Sequence, residues 1–326
     1  MSLASLIRQS APLPLRVLIH GDPGVGKSTL AAALAPKALL LPLEKVGAHV
    51  ESAVAAQGGA ILQPVADWPA LCAALQTLCA LPVEDVRPYR SLVLDGVNHV
   101  ERWIWDALVA SQPADSKGRK PTTVEEVGGG YGKGYTAAVD WWRRLLGLLE
   151  AVQAKHDLQL WLVSHSARAK IKNPSGEDYE IEQPALHVSA SGLLVGWADT
   201  VLFATYERTT YQRDPSAGSK GRGRLAEVGP RVLRTASTGP WAAKSRQSMP
   251  PTLCLETPDP DHPEWVSGAP LVALYLRCDA LLARLAPRGL AQDQAEVRRA
   301  IAAADPPTLQ GIYNELRARV PAKEPT

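Results

Sequence analysis

One stretch near the start of the chain reads Gly21-Asp22-Pro23-Gly24-Val25-Gly26-Lys27-Ser28-Thr29. It fits the pattern G-x-x-x-x-G-K-[ST] of a phosphate-binding loop at every fixed position. An apolar run at residues 15–20 precedes it and an alanine-rich run at residues 29–34 follows it, so the stretch has the strand–loop–helix setting that the pattern requires. The alternative, a glycine-rich turn before an ordinary helix, is disfavoured by these flanks. The motif predicts that these residues bind a nucleoside triphosphate, ATP, with magnesium.

Each residue type in this loop has a physical role in binding phosphate. Gly21, Gly24 and Gly26 let the backbone curl so that its N–H groups surround an anion. The helix that follows adds the partial positive charge of its N-terminus. Lys27 can reach the β- and γ-phosphates, and the Ser28 hydroxyl can bind magnesium.

The composition is typical of a soluble globular protein. Of the 326 residues, 46% are hydrophobic and 21% are charged, and the net charge of +2 means that any basic surface must be local. No apolar run approaches the ~18–20 residues of a membrane span, and the first residues lack a signal-peptide pattern. The four cysteines show no metal-binding spacing. We therefore expect a cytoplasmic protein with no membrane partner.

Apolar runs alternate with helical patterns along the chain. This alternation predicts an α/β fold with a mostly parallel, doubly wound or RecA-like central sheet flanked by helices. The expected strands are residues 16–20, 38–43, 60–63, 91–95, 158–164 and 200–204, and the clearest helical patterns are residues 68–79 and 138–153. We expect a RecA-like core at residues 1–249, a proline-rich linker at 250–270 and a small helical region at 271–326.

Two carboxylates follow predicted strands and suit a nucleotide site. Asp95 ends the apolar run Leu92-Val93-Leu94, which is the Walker B pattern, and is predicted to hold magnesium with Ser28; a cap of the next turn is the alternative. Many ATPases place a glutamate directly after this Asp, but here the position is Gly96. Glu44 is the better candidate base, on the expectation that its strand lies beside the phosphate-loop strand.

Three further residues are candidates for the same chemistry. His165 follows the strand expected at 158–164, and either senses the γ-phosphate or is an ordinary loop histidine. Lys244 and Arg246 are spaced i, i+2, so on an extended segment they point the same way. They are predicted to reach the γ-phosphate of a neighbouring subunit. A solvated basic segment is the alternative.

Long glycine- and charge-rich stretches interrupt the pattern at residues 111–134, 167–191 and 213–224. Such loops in a compact domain are usually functional or disordered. Proteins that bind single-stranded DNA combine cations for the backbone with aromatic rings for stacking, and the first two stretches carry both. The candidate DNA-binding residues are Lys117, Arg119, Lys120, Lys133, Tyr135, Arg168, Lys170 and Lys172, with a solvated surface as the alternative.

Over residues 12–300 the chain resembles the phage-type AAA/RecA-like ATPases, especially the phage single-strand annealing proteins built on a RecA core. The segments that carry the resemblance are residues 21–29, 41–44, 92–101, 131–135, 161–166, 197–199 and 243–246. The resemblance implies ATP and magnesium binding, rings or filaments, and handling of single-stranded DNA in recombination. It also implies that Glu44 is the catalytic glutamate and that Lys244 and Arg246 act across a subunit interface. A phage-encoded protein would work in the cytoplasm of the bacterial host.

These observations predict a slow, DNA-dependent ATPase that self-assembles, binds single-stranded DNA and promotes annealing or strand pairing. A single-strand-binding protein is a further candidate partner. Two other functions remain open: a nucleotide-gated assembly or interaction protein, and a DNA translocase or helicase-like motor. DNA affinity that falls steeply with salt would separate the DNA-binding functions from the interaction protein.

Overall fold

A computed structural model describes residues 14–114, 116, 118–174, 176–211, 224–246, 249–255, 297, 300–301 and 306–319. Within these residues a nine-stranded sheet forms the centre of the molecule. Its strands are β1 (Arg16–Gly21), β2 (Ala38–Pro42), β3 (Ala60–Ile61), β4 (Ser91–Asp95), β5 (Gln159–Ile171), β6 (Tyr179–Pro184), β7 (Thr200–Tyr211), β8 (Arg224–Arg234) and β9 (Thr252–Cys254).

The strand order is β3-β2-β4-β5-β1-β7-β8-β9, and β6 pairs with β5 outside this path. The six strands from β3 to β7 are parallel, whereas β8 and β9 extend the sheet in antiparallel fashion. The carboxyl ends of the parallel strands therefore meet at one edge, where ligands of open α/β sheets bind. This arrangement confirms the predicted α/β fold with a mostly parallel sheet.

Helices cover both faces of the sheet. They are α1 (Lys27–Leu34), α2 (Ala48–Ala56), α3 (Trp68–Ala80), α4 (Val83–Val86), α5 (Val97–Ala110), α6 (Lys133–His156), α7 (Val188–Trp197) and α8 (Pro306–Ala318), with a 3₁₀ turn at Val124–Gly129. No helix in the described part of the chain has the length and apolarity of a membrane span.

The side chains of the central strands alternate between two apolar layers, as the period of a β-strand requires. Leu160 and Leu162 of β5 enter the layer formed with α3, α5, α6 and α7. Trp161 and Val163 enter the opposite layer with α1 and α2. Each layer is buried, so these strands read as nearly continuous apolar runs in the sequence.

Two elements, β9 and α8, lie in the stretches expected to be a linker and a C-terminal helical region. β9 lies within the stretch predicted to be a linker, because Leu253 is buried and its strand pairs with β8. Leu309 and Leu316 of α8 enter the same apolar layer as α1 and α2. The described C-terminal helix therefore packs on the core.

Two stretches predicted as loops contain regular structure. β5 continues to Ile171 and forms an antiparallel hairpin with β6. Helix α6 begins at Lys133, five residues before its predicted start at Ala138. Both extensions are rich in charge or glycine, so the apolar periodicity that identifies elements in a sequence is weak there.

Candidate functional site

The phosphate loop connects β1 to α1 at the carboxyl edge of the sheet. Gly24 and Gly26 have φ of +78° and +90°, a left-handed conformation that favours glycine. The Lys27 ammonium is buried, donates to the Asp22 carbonyl oxygen (2.8 Å) and lies 3.3 Å from His165 Nδ1. Burial lowers the pKa of Lys27, although the neighbouring carboxylates, Asp95 first among them, oppose this shift. The loop therefore places a desolvated cation where phosphate would bind.

Ser28 and Asp95 form the candidate magnesium site. The Ser28 hydroxyl donates to Asp95 Oδ1 at 3.1 Å. Burial raises the pKa of Asp95 to about 6, and the Glu44 charge adds to the rise, while the Ser28 hydrogen bond and Lys27 oppose it. A hydroxyl and a carboxylate suit magnesium, which usually takes its remaining ligands from water and substrate phosphates. The described residues hold no cluster of three or more His, Cys, Asp or Glu side chains suited to a metal.

Glu44 lines the same cavity of ≈ 360 Å³ as the phosphate loop and Asp95. Its strand was expected beside the phosphate-loop strand, and this expectation is wrong, because β4 and β5 lie between β2 and β1. Glu44 reaches the cavity across the end of β4. A Cβ on Gly96 would lie 3.0 Å from Glu44 Oε1, so the glycine after Asp95 leaves room for the Glu44 carboxylate.

His165 connects the nucleotide cavity to the β5–β6 hairpin. Burial and the nearby Lys27 charge lower the pKa of His165, which favours a neutral ring that accepts from the ammonium. Its backbone N–H donates to Asn98 Oδ1 (2.8 Å), and Asn98 Nδ2 donates to the carbonyl oxygen of Ala185 (2.7 Å), just after β6. His165 and Asn98 therefore link Lys27 to the base of the hairpin.

The polar residues at or near the cavity that were not predicted from the sequence include Asn98, His49 and His99. Asn98 and His49 line the cavity, and His99 Nε2 lies 3.3 Å from Glu44 Oε2. Asn98 and His99 fall in the first turn of α5, directly after Asp95 and Gly96, so their distance from the Walker B strand could have identified them. His49, in the first turn of α2, had no comparable sequence signal.

Lys244 and Arg246 lie away from the phosphate loop of their own chain. The backbone of Lys244 pairs with Val201, which is level with Leu18 near the start of β1, whereas the phosphate loop begins where β1 ends. The Lys244 ammonium donates to the Gly196 carbonyl oxygen (3.2 Å), and Arg246 pairs with Asp199 (3.1 Å). Their action on a neighbouring subunit stays a prediction.

The first candidate DNA loop presents one fully exposed aromatic ring, and a second ring packs against the protein. Tyr131 is fully exposed, in a run of left-handed residues that includes Gly130 and Gly132. Tyr135, predicted to bind DNA, instead stacks on His187 with ring centroids 4.3 Å apart and donates to Glu125 (3.1 Å). The Tyr135 ring is therefore engaged within the protein, because α6 begins earlier than expected.

The predicted DNA-binding cations fall into three groups. Arg168 and Lys170 form ion pairs within the hairpin, each at 3.0 Å. Arg168 pairs with Glu182, which faces it across β5 and β6, and Lys170 pairs with Asp178, just before β6. Lys117 lies outside the described residues. The remaining cations are exposed, and they are Arg119, Lys120, Lys133 and Lys172.

Comparisons with known proteins identify a domain family for this chain. Residues 13–247 match the model of the family described as AAA domain. No curated protein matches the sequence. Among solved structures, the crystal structure of the RadB recombinase is similar, with 13% sequence identity, a TM-score of 0.36, and coverage of 72% of this chain and 85% of that chain.

Proposed function

We propose that this chain, which belongs to the AAA domain family, is a magnesium-dependent ATPase that assembles through its nucleotide and acts on single-stranded DNA. One observation carries the ATPase part of the proposal. Lys27 and Ser28 at the start of α1, Asp95 at the end of β4 and Glu44 just after β2 line a single cavity. Such a cavity contains a phosphate-binding cation, magnesium ligands and a candidate base.

In the proposed reaction, Lys27 exchanges its contacts with Asp22 and His165 for phosphate oxygens. Bound magnesium would be held by Ser28 and Asp95 and would neutralise developing charge on the phosphates. Glu44 orients the attacking water and accepts its proton. His165, released by Lys27, signals the presence of the γ-phosphate through Asn98 to the hairpin.

The Glu44→Gln variant tests the assignment of the base. It keeps the size and hydrogen-bonding capacity of the side chain but cannot accept a proton at neutral pH. We expect binding of a fluorescent ATP analogue to stay within about threefold of wild type, while phosphate release falls by about 100-fold or more. Glu51→Gln, at an exposed position of α2, is the matched control and should behave as wild type. Near-wild-type turnover by Glu44→Gln would contradict the assignment.

The DNA part of the proposal is supported by the exposed Tyr131 ring and the neighbouring Lys133. Tyr131 lies between α5 and α6, and Lys133 is the first residue of α6. Helix α5 itself starts at Val97, two residues after Asp95. An exposed ring next to a cation suits a base stacked against it and a phosphate beside it. We propose that this segment contacts single-stranded DNA and that the protein promotes annealing or strand pairing, as the phage annealing proteins it resembles do.

Binding of a labelled single-stranded oligonucleotide, measured across a salt series with and without ATP, tests this proposal. Tyr131→Ala removes a neutral stacking surface, so it should weaken binding by about 5- to 100-fold without changing the salt slope. Lys133→Gln removes one phosphate contact, so it should reduce the salt slope by about one. An absence of single-strand binding by the wild type would contradict the DNA proposal and favour a nucleotide-gated interaction protein.

A further inference from the structure

Strand β7 extends past the phosphate loop. It pairs with β1 as far as Ala204, opposite Gly21, and then continues to Tyr211, while β8 runs back beside it from Arg224 to Arg234. The β7–β8 pair therefore stands next to the phosphate loop. It lies on the side of β1 away from β5, and so away from Glu44 and His165.

This strand pair holds the second residue of the phosphate loop. Asp22 Oδ2 accepts from Arg208 Nη2 at 2.6 Å and from the Thr205 hydroxyl at 3.2 Å. An unpaired carboxylate here would repel the phosphates that the loop has to bind. Arg208 offsets that charge and fixes the side chain of Asp22 against β7.

A second arginine of the pair lies against the loop itself. A Cβ on Gly26 would be 3.3 Å from Arg231 Nη1, so the Arg231 guanidinium sits beside the residue that precedes Lys27. Arg231 is half-buried on β8, opposite Tyr206 of β7. Guanidinium groups bind phosphate oxygens with strong, charge-assisted hydrogen bonds.

The charged side chains around the loop are mainly carboxylates, so a second cation there is electrostatically favourable. Within the loop, Lys27 is the basic side chain, and the Coulombic influences on its pKa come from three carboxylates, Asp95, Glu44 and Asp22. Magnesium–ATP itself carries net negative charge, so a second cationic side chain beside the loop would add to the attraction from Lys27, the loop N–H groups and the helix N-terminus. Arg231 is a cation of the same chain beside the loop.

We propose that Arg231 binds the phosphate chain of the nucleotide in cis, and that Arg208 is a positioning residue that acts on the loop through Asp22. This inference rests on the proposed function only in that the loop binds a nucleoside triphosphate. It differs from the trans action of Lys244 and Arg246, because it needs no neighbouring subunit.

Nucleotide affinity of the full chain tests the role of Arg231. Competition with a fluorescent ADP analogue gives the Kd for AMP, ADP and ATP with magnesium present. We expect Arg231→Gln to weaken ADP and ATP by about tenfold or more and AMP less, and Arg231→Lys to be intermediate. The matched control is Arg234→Gln on the same strand, where Arg234 pairs with Glu207 (2.7 Å); it should leave all three affinities within about twofold.

The outcomes separate the two proposals. Absence of nucleotide binding by the wild type would overturn the proposed function. If the wild type binds nucleotide and both Arg231 variants bind ADP and ATP as tightly as the wild type, the cis contact alone would be overturned. Thermal melting shows whether each variant is folded. If Arg231→Gln does not fold, the affinities of Arg231→Lys still test the contact.

A double mutant tests the indirect role of Arg208. Arg208→Gln should weaken ADP binding by about threefold, because it leaves the Asp22 charge unpaired beside the phosphates. Adding Asp22→Asn removes that charge and should restore the affinity. An Arg208→Gln variant with unchanged affinity, or one that Asp22→Asn does not restore, would contradict the positioning role.

Discussion

Two buried carboxylates, Asp95 in the cavity and Glu101 on α5, carry raised pKa values. Burial raises the pKa of Glu101 to about 7, although the His187 backbone N–H that donates to Oε1 at 2.8 Å opposes the shift. Between pH 4.5, its ordinary pKa, and about 7, the folded protein binds a proton that the unfolded chain has released. The free energy of unfolding contributed by this group therefore falls as pH rises through that window.

Glu101→Gln should remove this pH-dependent penalty, because glutamine still accepts from the His187 N–H but carries no charge. We expect the variant to exceed the wild type in stability by roughly 1–3 kcal/mol at pH 8, and by much less at pH 4.5. Urea unfolding at both pH values measures the difference. The exposed Glu84→Gln is the control, and an equal effect of Glu101→Gln at the two pH values would contradict the account.

Single residues explain which parts of the site could be predicted. The phosphate loop follows a fixed pattern, so its nine residues were identified directly from the sequence. Glu44 was nominated because Gly96 left the usual position vacant, and the structure adds that Gly96 also makes space for the Glu44 carboxylate. Arg208 and Arg231 had no sequence signal, because their approach to the loop depends on strand pairing across nearly 200 residues of chain.

At the scale of elements, close packing at the start of α6 fixes the position of the segment that precedes this helix. Gly134, in its first turn, packs so tightly that a Cβ would collide with the carbonyl oxygen of Val124, whereas a Cβ on Gly147 of the same helix meets open space. This contact fixes the 3₁₀ turn at Val124–Gly129 against α6. The segment that presents Tyr131 is thereby held at both ends.

Gly134→Ala should destabilise the protein by about 1–3 kcal/mol through this collision. Gly147→Ala, the matched control, should stabilise it by about 0.5–1 kcal/mol, because alanine is the better helix former. Urea unfolding of both variants measures the difference. A stabilising Gly134→Ala would show that the turn and helix do not pack as described.

The elements with strong apolar runs were predicted best. β4 has the predicted bounds, since residues 91–95 are buried on both faces. The β5–β6 hairpin was predicted to be a loop, because its strands carry many charges, are only partly buried and lack the continuous apolar run of the central strands. Arg168 and Lys170 form ion pairs in this hairpin. The sequence alone does not show which charged residues pair.

At the scale of the whole molecule, a buried histidine joins the phosphate-loop strand to two other surfaces. His20 Nε2 lies 2.6 Å from the carbonyl oxygen of Ala242. Because a carbonyl oxygen only accepts hydrogen bonds, Nε2 carries the hydrogen, and Nδ1 of the neutral ring accepts from the Ser166 hydroxyl (2.7 Å). Burial lowers the pKa of His20 to about 4, which keeps the ring neutral at physiological pH. The strand below the nucleotide thus contacts the hairpin and the segment that carries Lys244.

Mixing two inactive variants tests whether that segment acts across an interface. Lys27→Ala lacks a phosphate-binding lysine, and the double variant Lys244→Ala/Arg246→Ala lacks the proposed trans cations. Each should hydrolyse ATP poorly alone, while the double variant still binds nucleotide. A mixed assembly contains complete interfaces, so activity should return on mixing. No recovery from variants that still assemble together would contradict the trans role.

The central claim is that the cavity at the phosphate loop hydrolyses ATP, and steady-state phosphate release with magnesium tests it most directly. The account predicts measurable release by the wild type, with or without single-stranded DNA, and loss of that release in Lys27→Ala. Equal release by the wild type and Lys27→Ala, or no release by the wild type under either condition, would contradict it.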